Sequence, residues 1–311
     1  MSSFQVLITG GAGFIGSHIG ERFARAGWRV RVLDDLSSGF RHNLGQDWEL
    51  THASVIDAAA VGAAIAGCDA VVHLAAFISV PESFERHEHC FRINVDGTHN
   101  VLQACVTHGI GKLVFASSSA VYSEAPVRAK LETDCPGPLS PYGISKLEGE
   151  HLLGIFRKAH GLASCALRLF NVYGPRQRAD SAYAAAVPIF MARGLKGEPL
   201  TIFGDGHQTR DFVFVGDVAD AVFLAATSET CGVFNVGTAS ETRVLELADT
   251  IVRITGGVGE HDFQPSRKGD VRASCADIAS IRQALGWNPA HTLEPGLTAT
   301  LAWYREKLGI G

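Results

Sequence analysis

Ser140-Pro141-Tyr142-Gly143-Ile144-Ser145-Lys146 is a stretch whose residue types and spacing could move a proton. Serine is a good helix N-cap and proline a good first helical residue, so a helix is expected to open here. That start puts Tyr142 and Lys146, four residues apart, on one helical face. An ammonium beside a phenol stabilises its phenolate and brings the tyrosine pKa toward working pH, which suits general acid/base chemistry. A tyrosine–lysine pair at this spacing also arises by chance as a surface contact, so the elements around it decide its meaning. Upstream, the apolar run 113–116 ends in Ser117-Ser118-Ser119-Ala120-Val121-Tyr122. Polar residues at the carboxyl end of a parallel strand face the ligand crevice of an open α/β sheet.

A second signature opens the chain. Thr9-Gly10-Gly11-Ala12-Gly13-Phe14-Ile15-Gly16 follows the apolar run 5–9 and leads into a stripe of Ile15, Ile19, Phe23 and Ala26, closed by Gly27. Glycine at 10 permits the tight turn, at 13 lets backbone approach a pyrophosphate, and at 16 lets helix pack on strand. The N–H groups of Phe14 and Ile15 then sit at a helix N-terminus, which attracts anions. A glycine-rich turn alone is a weak signal. Here a strand precedes it, a helix follows it, and an acid closes the next strand. That acid is Asp34, 18 residues past Gly16. A carboxylate there accepts hydrogen bonds from an adenosine ribose and repels a 2′-phosphate. Asp35 adds negative charge, against Arg41 as the nearest cation. The expected cofactor is NAD rather than NADP, and its nicotinamide cation would help Lys146 stabilise the Tyr142 phenolate.

The elements that must position these residues follow from periodicity. Runs at 5–9, 30–33, 70–74, 113–116 and 164–169 are mainly apolar and continuous rather than alternating, as in strands buried on both faces, and longer helical segments separate them. Such alternation implies an α/β fold, a doubly wound parallel Rossmann sheet with right-handed crossovers. After Asn171 the texture changes, with Pro175, Pro188 and Pro199 among short segments and no fresh strand–helix series. Strands are expected at 200–203, 211–215 and 233–236, a helix N-capped by Asp217, and closing helices at 278–285 and 294–307. The expected division is an NAD-binding domain over 1–172 and a smaller α/β substrate-binding domain over 173–311. The stretch 211–237 is the part that could return to the first domain.

The 311 residues are 46% hydrophobic and 19% charged, ordinary for a globular chain with a sizeable core. A net charge of −5 and a pI near 6.2 suggest neither nucleic acid nor an anionic membrane as partner. The longest apolar runs fall far short of the roughly 20 residues of a spanning helix, and the first residues lack the pattern of a secretory signal. Seven cysteines and thirteen histidines show no metal spacing. No metal is expected, and an odd, scattered cysteine set reads as reduced thiols in a cytoplasmic protein.

Taken together, these blocks resemble the extended short-chain dehydrogenase/reductase superfamily, and within it the UDP-glucose 4-epimerases. The resemblance covers essentially the whole chain: TGGAGFIG at 9–16, LDDLSSG at 33–39, HLAA at 73–76, NVDGT at 94–98, SSSAVY at 117–122, SPYGISK at 140–146, LRLFNVYGPRQ at 167–177, GDGHQTRDFVFVGDVA at 204–219 and RKGD at 267–270. It implies Tyr142 as acid/base, Lys146 as its tuner and holder of the nicotinamide ribose, and Ser118 as hydrogen-bond partner of the reacting oxygen. The run of three serines leaves Ser119 in reserve, otherwise facing substrate. It implies cofactor contacts at Gly10, Gly13, Phe14, Ile15, Gly16, Asp34, Ser38, Gly39, Ser54, Val55, Leu74, Ala75, Ala76 and Asn94. Ser54 stands where several epimerases carry an adenine-contacting Asp, and Phe77-Ile78 where some carry a lysine. For a UDP-sugar substrate it implies a diphosphate clamp of Arg210 and Arg267, Asp270 on the uridine ribose, Asn171 on sugar or phosphate, and a 183–188 segment (with Ala185 and Val187) over the uracil. A solvated local ion pair is the plainer reading of Arg210-Asp211. Ser274, small, is expected beside the sugar's C2 side, leaving room for an acetamido group.

The implied activity is 4-epimerisation of a UDP-hexose (UDP-glucose/UDP-galactose, with the N-acetylhexosamine pair). Superfamily dehydratases and decarboxylases carry acids after the catalytic hydroxyl, where this chain has Ser119 and Ala120, which donate no proton to a leaving group. Other readings are another nucleotide-sugar oxidoreductase and a non-catalytic NAD-sensing regulator, since fold alone does not fix function. The resemblance also implies a homodimer through helices near 89–108 and 141–159.

Overall fold

Short runs of Val, Ile and Leu, apolar on every side chain, fit the middle of a parallel sheet covered on both faces. The computed structural model describes residues 4–124, 128–180, 185–266 and 271–309. β1 (Gln5–Thr9) passes through the glycine turn into α1 (Phe14–Arg25), followed by β2 (Arg29–Asp34), β3 (Glu49–His52), α2 (Ala58–Ile65) and β4 (Ala70–His73). Then come α3 (Val80–Glu85) and α4 (His87–Phe91), a π-helical turn over Arg92–Asp96, α5 (Gly97–Thr107), β5 (Lys112–Ser118), α6 (Pro141–His160) and β6 (Ser164–Leu169). The remainder runs β7 (Asn171–Tyr173), α7 (Ala186–Lys196), β8 (Leu200–Phe203), β9 (Thr209–Arg210), β10 (Phe212–Phe214), α8 (Val215–Thr227) and β11 (Gly232–Val236). It ends β12 (Thr242–Arg243), α9 (Val244–Thr255), β13 (His261–Gln264), β14 (Ala273–Ser274), α10 (Ala279–Leu285) and α11 (Leu293–Leu308).

Seven strands form one sheet in the order β3-β2-β1-β4-β5-β6-β11, with every neighbouring pair parallel. This is the doubly wound α/β sheet expected from the alternation. Successive residues of β1 go to opposite faces: Val6 and Ile8 join the core with Phe23 and Val222, Leu7 the one with Val71 and Phe115. The strand order reverses between β1 and β4, and at such a switch point a crevice opens outside the carboxyl ends of the strands. A third core of Val187, Phe190, Leu200, Leu247, Ile251 and Leu297 gathers α7, β8, α9 and α11. Short ladders there pair β9 with β12 and β14, and β8 with β13.

One local expectation fails. Asp217 is no N-cap, because α8 already starts at Val215. The carboxylate instead turns inward, 2% exposed, and takes the His291 N–H (3.0 Å) and Nδ1 (2.8 Å). It thereby ties α8 to the chain leading into α11. All seven cysteines are free and five are buried. Among the described residues no helix is long and apolar enough to cross a membrane, and no His/Cys/Asp/Glu group is set to hold a metal.

Candidate active site

The local chemistry at Ser140 works as its sequence suggests. Ser140 Oγ accepts the N–H of Gly143 (3.1 Å), Pro141 takes the first helical position, and α6 runs 20 residues from there. Its sheet-facing side carries Tyr142 and Lys146. Lys146 Nζ donates to the Ala116 carbonyl (2.9 Å) and lies 5.0 Å from the Phe115 ring centre and 5.9 Å from that of Tyr142. Ser118 ends β5, accepts the Ala120 N–H (3.1 Å) and shares the cleft wall with Tyr142, whose pKa its hydroxyl lowers. Ser117 points the other way and donates to Glu150, while Ser119 faces the neighbouring cleft. Of the three serines, the one on the phenol is Ser118.

Burial pushes the Tyr142 phenol up from its ordinary value, the Ser118 hydrogen bond draws it partly back, and Cys90 adds a smaller push upward. Burial disfavours the Lys146 ammonium as well and holds Lys146 down to about 8.

A cleft of about 690 Å³ follows the glycine turn. Gly10, Gly13, Phe14, Ile15, Gly16, Asp34, Ser38, Ser54, Val55, Leu74, Ala75, Ala76, Ser118, Tyr142 and Lys146 all line it. Gly39 does not; it packs the following loop against Ala12, 2.8 Å from where a side chain would begin. Asn94 does not either. Its amide clasps Phe77, accepting the N–H (2.7 Å) and donating to the carbonyl (3.0 Å), and donates to Ser145 Oγ (2.9 Å), bracing α6 from behind.

The cleft fits a dinucleotide. A side chain at Gly16 would stand 2.2 Å from the Gly10 carbonyl, so only glycine lets α1 begin this close to β1. The first turn of α1 has no acid and no side-chain cap, which leaves its N–H groups for an anion. Asp34 accepts from Ala12 N–H (2.9 Å) and Leu36 N–H (2.8 Å), and each carboxylate oxygen keeps a lone pair for a ribose hydroxyl. Burial raises its pKa and the two N–H groups oppose that. Sequence reasoning missed Arg176 and Arg178, which line the same cleft. Arg176 Nη1 is buried with no hydrogen-bond partner among the described residues, a donor that suits a phosphate. Its position after Gly174-Pro175 is the one sequence signal, since a turn must redirect the chain there.

A second cleft of about 500 Å³ shares the Ser118–Tyr142 wall. Ser119, Asn171, Ala185, Val187, Arg210 and Ser274 line it, with Lys130 and Gln208, which the sequence did not single out. Arg210 and Ser274 are direct neighbours across β9 and β14. Asp211 is fully buried and receives N–H groups from Thr238, Ala239 and Ala276 and the Thr238 hydroxyl, so Arg210-Asp211 is no solvated surface pair. Arg267 and Asp270 lie outside the described residues, as do Tyr183 and Ala184 of the 183–188 segment.

Comparison with known proteins agrees with this geometry. A UDP-glucose 4-epimerase from Mycolicibacterium smegmatis is 38% identical over 97% of this chain and 99% of its own length. The structure of UDP-glucose 4-epimerase with UDP-glucose from Thermotoga maritima superposes with a TM-score of 0.95 at 38% identity, covering 98% of this chain and 100% of that one. UDP-N-acetylglucosamine 4-epimerase from Methanobrevibacter ruminantium M1, in complex with UDP-N-acetylmuramic acid, gives 0.94 at 35%, covering 99% and 100%. Residues 6–237 match the NAD dependent epimerase/dehydratase family. With a dinucleotide cleft at the switch point and a phenol on its wall, this chain is an enzyme of the NAD-dependent epimerase/dehydratase family.

Proposed function

We propose that the enzyme inverts C4 of a UDP-hexose, acting on UDP-glucose/UDP-galactose and on the UDP-N-acetylhexosamine pair. The observation that carries this reading is the lining of the second cleft. Among its described residues there is no Asp, Glu, His or Cys, and the ammonium of Lys130, also in the lining, donates to the Glu124 carbonyl (2.9 Å), so no carboxylic acid, imidazole or thiol there stands beside Tyr142 as a second acid. Tyr122 also lines it, but its hydroxyl is engaged by Asn235 and burial pushes its pKa up to about 12. Dehydration needs a donor for the departing hydroxyl besides the base at O4. Epimerisation needs one group that takes a proton and returns it.

NAD, held by the glycine turn, Asp34 and Lys146, supplies reversible hydride acceptance and a positive charge at the nicotinamide. Tyr142 takes the C4 hydroxyl proton, with Ser118 hydrogen-bonding the same oxygen. Arg210 holds the diphosphate, joined by Arg267 and Asp270 on the nucleotide. The small side chains of Ser119, Ala120 and Ala185 leave the 4-keto sugar room to turn about its diphosphate link. With the other face of the ring presented, hydride returns to C4 and Tyr142 returns the proton to the same oxygen.

The test is to incubate the purified protein with each UDP-sugar and no added NAD. Interconversion with no net NADH supports the reading. Stoichiometric NADH, a 6-deoxy-4-keto product, or no conversion by a folded, NAD-loaded protein would replace it with an oxidoreductase, a dehydratase or a sensor respectively. We further propose a homodimer through α4–α5 and α6, where Ile144 and Ile155 stand exposed; a monomer in sedimentation at micromolar concentration removes it.

A further inference from the structure

Behind the reacting side chains lies a buried ion pair that the chemistry does not use. Glu150 follows Lys146 by one turn and Tyr142 by two, on the same face of α6. Its carboxylate receives Arg168 Nε (2.9 Å) and Nη2 (2.7 Å) from β6, and the hydroxyl of Ser117 from β5. The Arg168 and Glu150 side chains are 4% and 5% exposed. The third guanidinium nitrogen donates to the Tyr122 hydroxyl (2.8 Å), which donates to Asn235 (2.7 Å). Every charge is met, but a buried pair of this kind commonly adds no more stability than apolar residues of the same volume.

Its position suggests another task. The pair grips β5 at Ser117, between Ala116, which receives Lys146, and Ser118, which meets Tyr142. The two elements also touch with unusual closeness. A side chain at Gly149 would stand 2.5 Å from the Phe115 ring of β5, and one at Gly143 2.3 Å from the Ala120 carbonyl in the turn that follows it. Those glycines set how near α6 lies to β5, but a smooth contact does not stop sliding along the strand.

We propose that Glu150 is a positioning residue: through Arg168 and Ser117 it fixes the register of α6 on the end of β5, and so the alignment of Tyr142 and Lys146 with Ser118. The proposal rests on the reading of those three residues given above. A displacement of about 1 Å at a reacting group costs roughly 10²-fold in rate.

The test is the triple variant Ser117→Ala/Glu150→Leu/Arg168→Met, which removes the clamp without orphaning a buried charge. The expected result is a melting temperature near that of the unmodified enzyme, unchanged NAD content, KM within about threefold, and kcat lower by about 10²-fold. The acid limb of the kcat–pH profile should also move to higher pH, because a loosened Ser118 bond no longer draws the phenol down. A folded variant with the original kcat and pH profile overturns the proposal. Should the triple variant fail to fold, Ser117→Ala decides: a loss of kcat of about tenfold at unchanged KM supports the clamp, and an unchanged kcat overturns it. Tyr142→Phe, run alongside, separates the two ideas, since full turnover there sinks the catalytic reading itself.

Discussion

The hydroxyl of Thr9, at the end of β1, donates to Nδ1 of His73 at the end of β4 (2.7 Å). The direction follows from its neighbours, since the same oxygen already accepts the N–H groups of Leu74 and Ala75. His73 is therefore neutral, with its proton on Nε2 facing Thr98 Oγ1 (2.9 Å), and Thr98 in turn donates to the Asn94 carbonyl (2.6 Å). Across the switch point, two strands and the π-helical turn are joined by one chain of hydrogen bonds that only the neutral imidazole can complete.

That chain sets a pH dependence of stability. Burial, with Lys146 adding to it, lowers His73 to about 3 in the folded protein, against about 6.5 when unfolded. A depressed folded pKa means that its contribution is complete above about 6.5 and is lost as pH falls from there toward about 3. Within that window, stability should drop by up to about 1.4 kcal/mol per pH unit from this one group. Thermal melts of the protein and of His73→Asn between pH 7 and pH 4 check this; equal slopes would assign the dependence elsewhere.

Asp34 should decide between the two dinucleotides. Asp34→Ser removes a charged acceptor worth about 1.5–3 kcal/mol, so NAD should bind roughly 10- to 100-fold more weakly while NADP gains relative to it. Titration of stripped protein with each cofactor measures both. Equal binding of NADP by the unmodified protein would contradict the reading of this strand end.

The hydroxyls around the phenol should rank in a fixed order. Tyr142→Phe should keep NAD and lose roughly 10²–10⁴-fold in turnover. Ser118→Ala should be comparably damaging and Ser119→Ala milder, because the Ser118 hydroxyl acts on the phenol while Ser119 only borders the second cleft. Steady-state rates on UDP-galactose settle the order, and a reversed one would move the role to Ser119.

Ser274 should govern which sugars enter. It lines the second cleft beside Arg210, where a small side chain leaves space. Ser274→Tyr should suppress turnover of the UDP-N-acetylhexosamines by about 10- to 100-fold, the scale of a steric mismatch in a pocket, while largely sparing the unsubstituted hexoses. Competition between the two pairs reads this directly, and equal losses on both would place the gate elsewhere.

What the sequence alone determined about this protein is whatever depends on neighbours in the chain. The strand–glycine turn–helix at 5–25, the cap at Ser140, the facing of Tyr142 and Lys146, and Asp34 at its strand end all follow from dihedral preference and periodicity within a few residues. Partner choice across the fold does not. Asp217 has the composition of a cap, yet it holds His291, 74 residues away. Glu150 reads as one more helical charge until β6 brings Arg168 to it. Ser117, Ser118 and Ser119 are chemically alike, and only the pleat of β5 against α6 sends one to Glu150, one to Tyr142 and one to the cleft. Burial is likewise a property of the assembled fold: the Tyr142–Lys146 spacing is local, whereas the enclosure that penalises both charged forms comes from the packed sheet. Local geometry is written in local sequence, whereas desolvation and long-range hydrogen bonding exist only once the sheet has brought distant segments together.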